Sequence, residues 1–172
     1  MACNSQTLAG LAKDCTPSMG GIVEVLIANH DDVSSVTVTG DKITAISMTS
    51  EAKFKKYQFQ RNTGSMTSTY TIDKTNGVQY VTTDLVLQFN RMETTKRVEM
   101  TALSINDLAV IVKDCNGTFF YLGYDEPVNA SAGDGQTGTA RSDANRYSIT
   151  LQDNSREMPY EIDAAIVDAL VG

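Results

Sequence analysis

Leu108-Ala109-Val110-Ile111-Val112-Lys113-Asp114-Cys115-Asn116-Gly117-Thr118-Phe119-Phe120-Tyr121-Leu122-Gly123 holds two apolar runs around a short polar break. The runs are rich in β-branched and aromatic residues, which suit a pleated, half-buried surface. Asp114 and Asn116 can bond nearby backbone, and Gly117 accepts the left-handed conformation a tight turn needs. The stretch therefore predicts a buried hairpin, with a strand over 107–113, a turn at 114–117 and a return through Leu122.

Working upstream, Ile22-Val23-Glu24-Val25-Leu26-Ile27-Ala28 predicts a strand ended by the turn-forming Asn29-His30-Asp31-Asp32. Val36–Thr39 and Ile43–Met48 predict a hairpin around Gly40-Asp41. Between 53 and 90 the alternation is long. Tyr57, Phe59 and Arg61 oppose Lys56, Gln58 and Gln60; Met66, Ser68, Tyr70 and Ile72 oppose Thr67, Thr69 and Thr71; Val81, Thr83, Leu85, Leu87 and Phe89 share a face. Period-two segments joined at Asn62-Thr63-Gly64 and Asn76-Gly77 predict one antiparallel meander over 53–90.

Residues 91–106 fit two patterns. Met92, Lys96, Met100 and Leu103 can share a helix face, whereas Val98, Met100 and Ala102 alternate as a strand would. A helix is favoured, because one amphipathic helix would cover an open sheet face. Residues 125–144, rich in Gly, Ala, Ser and Asp, predict a long polar loop, mobile in the isolated subunit over 129–142. Arg146–Gln152 predicts the strand that closes the sheet. After Pro159, Ile162, Ile166, Ala169 and Leu170 have helical spacing. The chain divides into an N-terminal arm (1–21), one β-rich domain (22–160) and a C-terminal tail (161–172) with that helical spacing.

A chain of 172 residues, 41% apolar and 20% charged, has the length and composition of one domain with a full core. Its formal net charge of −7 gives no electrostatic reason to bind phosphate backbones. The densest basic cluster, Lys53, Lys55, Lys56 and Arg61, reads as the solvated face of a strand. Cys3, Cys15 and Cys115 are widely spaced and odd in number, and His30 is the single histidine. Reduced thiols are favoured over a Cys3–Cys15 bridge, and neither a disulfide scaffold nor a zinc site is expected. The first residues lack a basic segment and an apolar core, so no secretory signal is expected. No apolar run approaches the ~20 residues that span a bilayer. These features predict a soluble, cytoplasm-made protein without membrane binding.

Motifs for chemistry are weak. His30 precedes Asp31-Asp32, but the cluster reads as a turn rather than as the base of a catalytic triad. Glu24, Asp84, Glu93, Glu99 and Glu157 are available carboxylates, and no spacing selects a glycosidase pair. Gly133-Asp134-Gly135-Gln136-Thr137-Gly138 lacks the Lys-Ser/Thr of a phosphate loop. Asp73-Lys74-Thr75-Asn76-Gly77 lacks the closing Glu of a calcium loop. Asn116-Gly117-Thr118 and Asn129-Ala130-Ser131 match the glycosylation sequon, which matters only in a secreted protein. No catalytic, cofactor-binding or metal residue is assigned, no small-molecule substrate is expected, and the chain reads as a scaffold rather than an enzyme.

In its order of elements the sequence resembles small virion proteins of tailed phages infecting Bacteroides-type hosts, built on the tail-tube fold. The resembling features are Gly20-Gly21-Ile22, the hairpin Leu108–Gly123, the loop Gly133–Ala140, Asp143-Ala144-Asn145-Arg146-Tyr147-Ser148-Ile149-Thr150-Leu151, and Met158-Pro159-Tyr160. They spread over most of residues 20–160. The resemblance implies a mainly β fold, an antiparallel β-sandwich or partly closed barrel with one flanking helix. It implies a homo-oligomeric ring in the virion tail, assembled in the host cytoplasm with other tail or connector proteins, with DNA only as passing cargo. Pairing of strand edges in 53–90 between copies would close such a ring. The rival expectations are a head–tail connector, a capsid decoration protein, and a carbohydrate- or peptide-binding β-sandwich. The last is disfavoured by the absence of Trp.

Overall fold

The computed structural model describes residues 7–172. Its strands are β1 (Ile22–Asn29), β2 (Val33–Thr39), β3 (Lys42–Met48), β4 (Lys55–Tyr57), β5 (Ser65–Asp73), β6 (Val78–Asn90), β7 (Leu108–Asp114), β8 (Phe119–Leu122), β9 (Asn129–Gln136), β10 (Arg146–Ser155) and β11 (Tyr160–Ile162). Helix α1 (Thr94–Ile105) lies between β6 and β7, and α2 (Ala164–Leu170) follows β11. The strands form a seven-stranded sheet, ordered β2-β3-β11-β8-β7-β1-β4, and a four-stranded sheet, ordered β5-β6-β10-β9. Pairing is antiparallel except between β11 and β3. The protein is a mainly β sandwich with a flanking helix, and the sheets do not close into a barrel.

The central hairpin forms as the sequence predicts, with Val110 opposite Leu122 and Val112 opposite Phe120. Its turn is held by Asp114 Oδ1, which accepts from the amides of Asn116 and Thr118 at 2.9 and 2.8 Å. Alternation along β7 feeds two cores. Val110 and Val112 join Val25, Ile27, Leu85, Leu87, Ile149 and Leu151 between the sheets. Ala109 and Ile111 point the other way, into a second core with Leu26, Ile43, Phe54, Ile162, Val167 and Leu170. Covering on both faces is why Val25–Ala28 of β1 and Leu108–Val112 of β7 read as unbroken apolar runs. Gly40 and Asp41 both take positive φ, 59° and 65°, the turn a two-residue hairpin requires.

Helix α1 forms and stands beside both sheets. Leu103 is buried and Met100 packs against the inter-sheet core. Glu99 accepts from Tyr57 of β4. The expected helix face is half right. Met92 precedes the helix, and Lys96 turns its Nζ to the Asn90 carbonyl (2.6 Å) and to Glu93 (3.0 Å).

Two expectations are corrected. The meander over 53–90 is a two-stranded hairpin, β5–β6. The strand at Lys55–Tyr57 instead pairs with β1 in the larger sheet, Val25 opposite Tyr57. Asn62, at φ 64°, turns the chain from one sheet to the other. Phe59 and Ile22 then close over Gly64, where an added Cβ would lie 2.7–2.9 Å from their side chains. The long polar loop is also shorter than expected, because residues 129–136 form β9, paired with β10. Its small residues have poor strand propensity, but they are what the packing needs. A Cβ at Gly135 would sit 3.0 Å from the Tyr147 ring and 3.1 Å from Met92. Tertiary packing thus overrides propensity there.

Residues 161–172 add to the body of the fold. Ile162 belongs to β11, and Val167 and Leu170 are buried by α2 in the second core. Of the N-terminal arm, residues 7–20 are exposed and carry no helix or strand. The arm is pinned at its end, where the Met19 amide donates to Asn116 Oδ1 at 2.9 Å.

Candidate functional site

The larger sheet manages its free edges. β4 is three residues long, and β2 pairs through two register shifts. Short or bulged edges resist pairing with other chains. The smaller sheet differs. β5 is a nine-residue edge strand in unbroken register with β6, from Ser65–Val86 to Asp73–Val78. It holds no Pro, Lys or bulge, and its only charge is the terminal Asp73. The opposite edge, β9, is eight residues long with one bulge.

The outer face of this sheet is dominated by hydroxyl and amide side chains. Val81, Leu85 and Leu87 of β6 are buried, so their neighbours Thr82, Asp84 and Gln88 face outward. Cross-strand pairs bind β6 to β10: Thr82 donates to Asn154 (3.1 Å), Gln152 to Asp84 (3.0 Å), and Arg146 to Gln88 (2.7 Å). On β5, Thr67, Thr69 and Thr71 extend the face. The four strands contain no lysine and one arginine, Arg146.

A second feature lies at the far end of β10. Ile149 and Leu151 point into the core, and the next inward position is Asp153, 2% exposed. Burial pushes its carboxyl up to about 6, against a backbone hydrogen bond from Gly123 that favours the charged form; Asp125 and Glu126 push it further up. Oδ1 of Asp153 has no hydrogen-bond partner. The residue lines a cavity of about 250 Å³ walled by Tyr121, Tyr124, Tyr160, Asp125 and Glu157. The Tyr124 and Tyr160 rings meet edge-on, centroids 5.0 Å apart. Tyr160 donates to Glu157 Oε2 at 2.8 Å, which holds its hydroxyl up at about 12.

The carboxylates read from the sequence do not converge. Glu24 pairs with Lys56 (2.6 Å), Glu93 with Lys96, Glu99 accepts from Tyr57, Asp84 from Gln152, and Glu157 from Tyr160. His30 opens a 3₁₀ turn over His30–Asp32, with its amide on the Asp107 carbonyl. Asp73 caps the β5–β6 turn, accepting from the amides of Thr75 and Asn76. Gly133–Gln136 lies in β9. Cys15 and Cys115 are free thiols, and Cys3 lies outside the described residues. Among the described residues no group of three His, Cys, Asp or Glu side chains is placed to hold a metal ion, and no helix is long and apolar enough to cross a membrane. Asp153 is not among the candidate carboxylates that the sequence offers. Its signal is a carboxylate at an inward position of the alternation Ile149-Leu151-Asp153.

Comparisons with family models, with curated proteins and with solved structures give no match. The functional reading therefore stands on residues and geometry.

Proposed function

We propose that this chain is a structural subunit that assembles with its own copies into a closed ring, as the tail-tube or tail-ring protein of a tailed bacteriophage virion. One observation carries the reading: among the described residues, the smaller sheet presents a long, regular edge in β5 that pairs with no further strand. A second free edge, β9, lies on the other side of the same sheet. Two different edges on one sheet suit a head-to-tail contact, and a rotation that closes such contacts makes a ring. In that arrangement the sheets of successive copies join, and their polar outer faces form one continuous surface. A surface of hydroxyls and amides with no lysine in its strands would let DNA slide past without capture.

The experiment is electron imaging of the purified protein and of its complexes with co-expressed neighbouring virion proteins. Closed rings or stacked tubes of one diameter are expected. Thr69→Lys puts a charge on the β5 edge and should leave a folded monomer by circular dichroism. Lone copies or trimers seated on a capsid surface, with β5 in solvent, would overturn the ring and favour a decoration protein.

A further inference from the structure

We propose that a second copy of this chain seats a knob formed by Tyr124 and Met158 in the hollow between β4, β6 and α1. The inference does not rest on the ring reading, since neither surface includes β5 or β9. The hollow, about 470 Å³, is floored by the half-buried rings of Tyr57 and Phe89 and by Met100. The bond from Tyr57 to Glu99 fixes that floor between strand and helix. Apolar surface held open in this way gains free energy when a side chain displaces its water. The rim says which side chain. Of its lysines, Lys56 pairs with Glu24 and Lys96 with Glu93, whereas Lys55 is exposed and has no acidic partner among the described residues. An apolar group flanked by acid therefore fits.

Tyr124 and Met158 are such a group. They are 41% and 38% exposed and wall one cavity from two turns, 123–128 and 156–159. Asp125, Glu126 and Glu157 flank them against Arg156, and among the described residues no cation pairs with these carboxylates. Two other exposed apolar groups are flanked by balanced charge: Tyr70, Ile72, Val78 and Tyr80 by Asp73 and Lys74, and Leu8 and Leu11 by Lys13 and Asp14. The knob is also built before it binds. The Arg156 amide donates to Asp125 Oδ2 at 2.8 Å, Ser155 Oγ donates to the Glu157 carbonyl at 2.6 Å, and Tyr160 meets the Tyr124 ring edge-on. A turn fixed in this way loses little conformational freedom on docking. Knob and hollow are different surfaces, with β7 and β1 between β8 and β4 in the sheet, so the contact is head-to-tail. Two short turns bury little area. The contact is therefore weak, forming at high local concentration and not in a dilute monomer.

The test is an NMR dilution series of the full labelled Thr69→Lys chain. That substitution, at an exposed position of β5, blocks the edge contact, so failure here is distinct from failure of the ring. Concentration-dependent shifts are expected for the amides of Glu126 and Met158 on the knob and of Lys55 and Lys96 on the hollow, smaller at high salt. In this background Glu126→Lys or Lys55→Glu, each at an exposed position, should weaken association about tenfold, and Met158→Ser about as much. An equimolar mixture of the two charge variants should recover it, because every contact between them then joins opposite charges. Shifts absent from a concentrated sample, shifts unchanged in all three variants, or no recovery on mixing would overturn the contact and leave the hollow to a different protein.

Discussion

The hydroxyl of Tyr57 donates a 2.7 Å hydrogen bond to Glu99 Oε2, joining the last residue of β4 to the middle of α1. The same ring tilts against Phe89 of β6, centroids 6.3 Å apart, so one side chain touches both sheets and the helix between them. Burial, then the bond to Glu99, holds the phenol above its ordinary range. The folded state favours the protonated form. That contribution is present below about pH 10, where the unfolded phenol titrates, and fades as pH rises further. Tyr57→Phe should cost about 1 kcal/mol in denaturant titration at neutral pH, since the bond lies at the surface. The difference from wild type should shrink in alkaline solution.

Asp153 gives a pH dependence of the same sign in a lower pH window. Its folded value, about 6, lies above the ordinary carboxylate value of 3.8. The neutral form is therefore the one the fold prefers, and this contribution is full below pH 3.8, lost between there and about 6, and absent above. Asp153→Asn mimics the neutral form in nearly the same shape. It should raise stability by about 2 kcal/mol near pH 7.5 and change little near pH 4. Chemical denaturation at the two pH values measures the difference, and equal effects at both would refute the assignment.

Ile111 is fully buried at the centre of the larger sheet, in the core that α2 covers. Ile111→Ala should cost about 2–5 kcal/mol, from lost burial plus the cavity left behind. A loss well under 1 kcal/mol would mean that the second core collapses freely around the gap.

Gly64 is a close-packing position. A methyl group there meets the Phe59 ring and Ile22. Gly64→Ala should destabilise by about 1–3 kcal/mol through overpacking, and Phe59→Leu in the same chain should recover part of it. A double-mutant cycle in urea reads the coupling.

The sequence made most of the fold legible where local chemistry and tertiary packing agree. The Asp114–Gly117 turn, Gly40-Asp41 and Asn76-Gly77 each sit where the residues place them, and the flanking strands follow. Legibility failed where packing acts against propensity. β9 is built from Asn, Ala, Ser, Gly, Asp and Gln, and it is a strand because β10 pairs with it and glycines admit Tyr147 and Met92. β4 failed differently. Its alternation was correct, since Tyr57 and Phe59 do pack inward, but alternation carries no information about which strand is the neighbour. Asp153 was readable only as an interruption in an apolar alternation, and its lack of a partner is a property of the folded chain alone.

The strap formed by α2 and the residues beyond it bears on synthesis. Phe54 donates to the Leu170 carbonyl at 2.9 Å and accepts from the Gly172 amide at 3.1 Å, while Lys53 reaches the Ala169 carbonyl. Translation delivers these partners far apart in time, on the order of ten seconds at ordinary elongation rates. Until the strap leaves the ribosome, Leu26, Ile43 and Phe54 lack the helix that covers them. The β5–β6 hairpin, closed by a local turn, can meanwhile form on the nascent chain, well before β9 is made. An unfinished chain thus carries one sheet edge without the other. If copies assemble through the two edges as proposed, such a chain pairs through β5 alone and cannot propagate a head-to-tail array, so the order of translation would hold that assembly back until β9 is made.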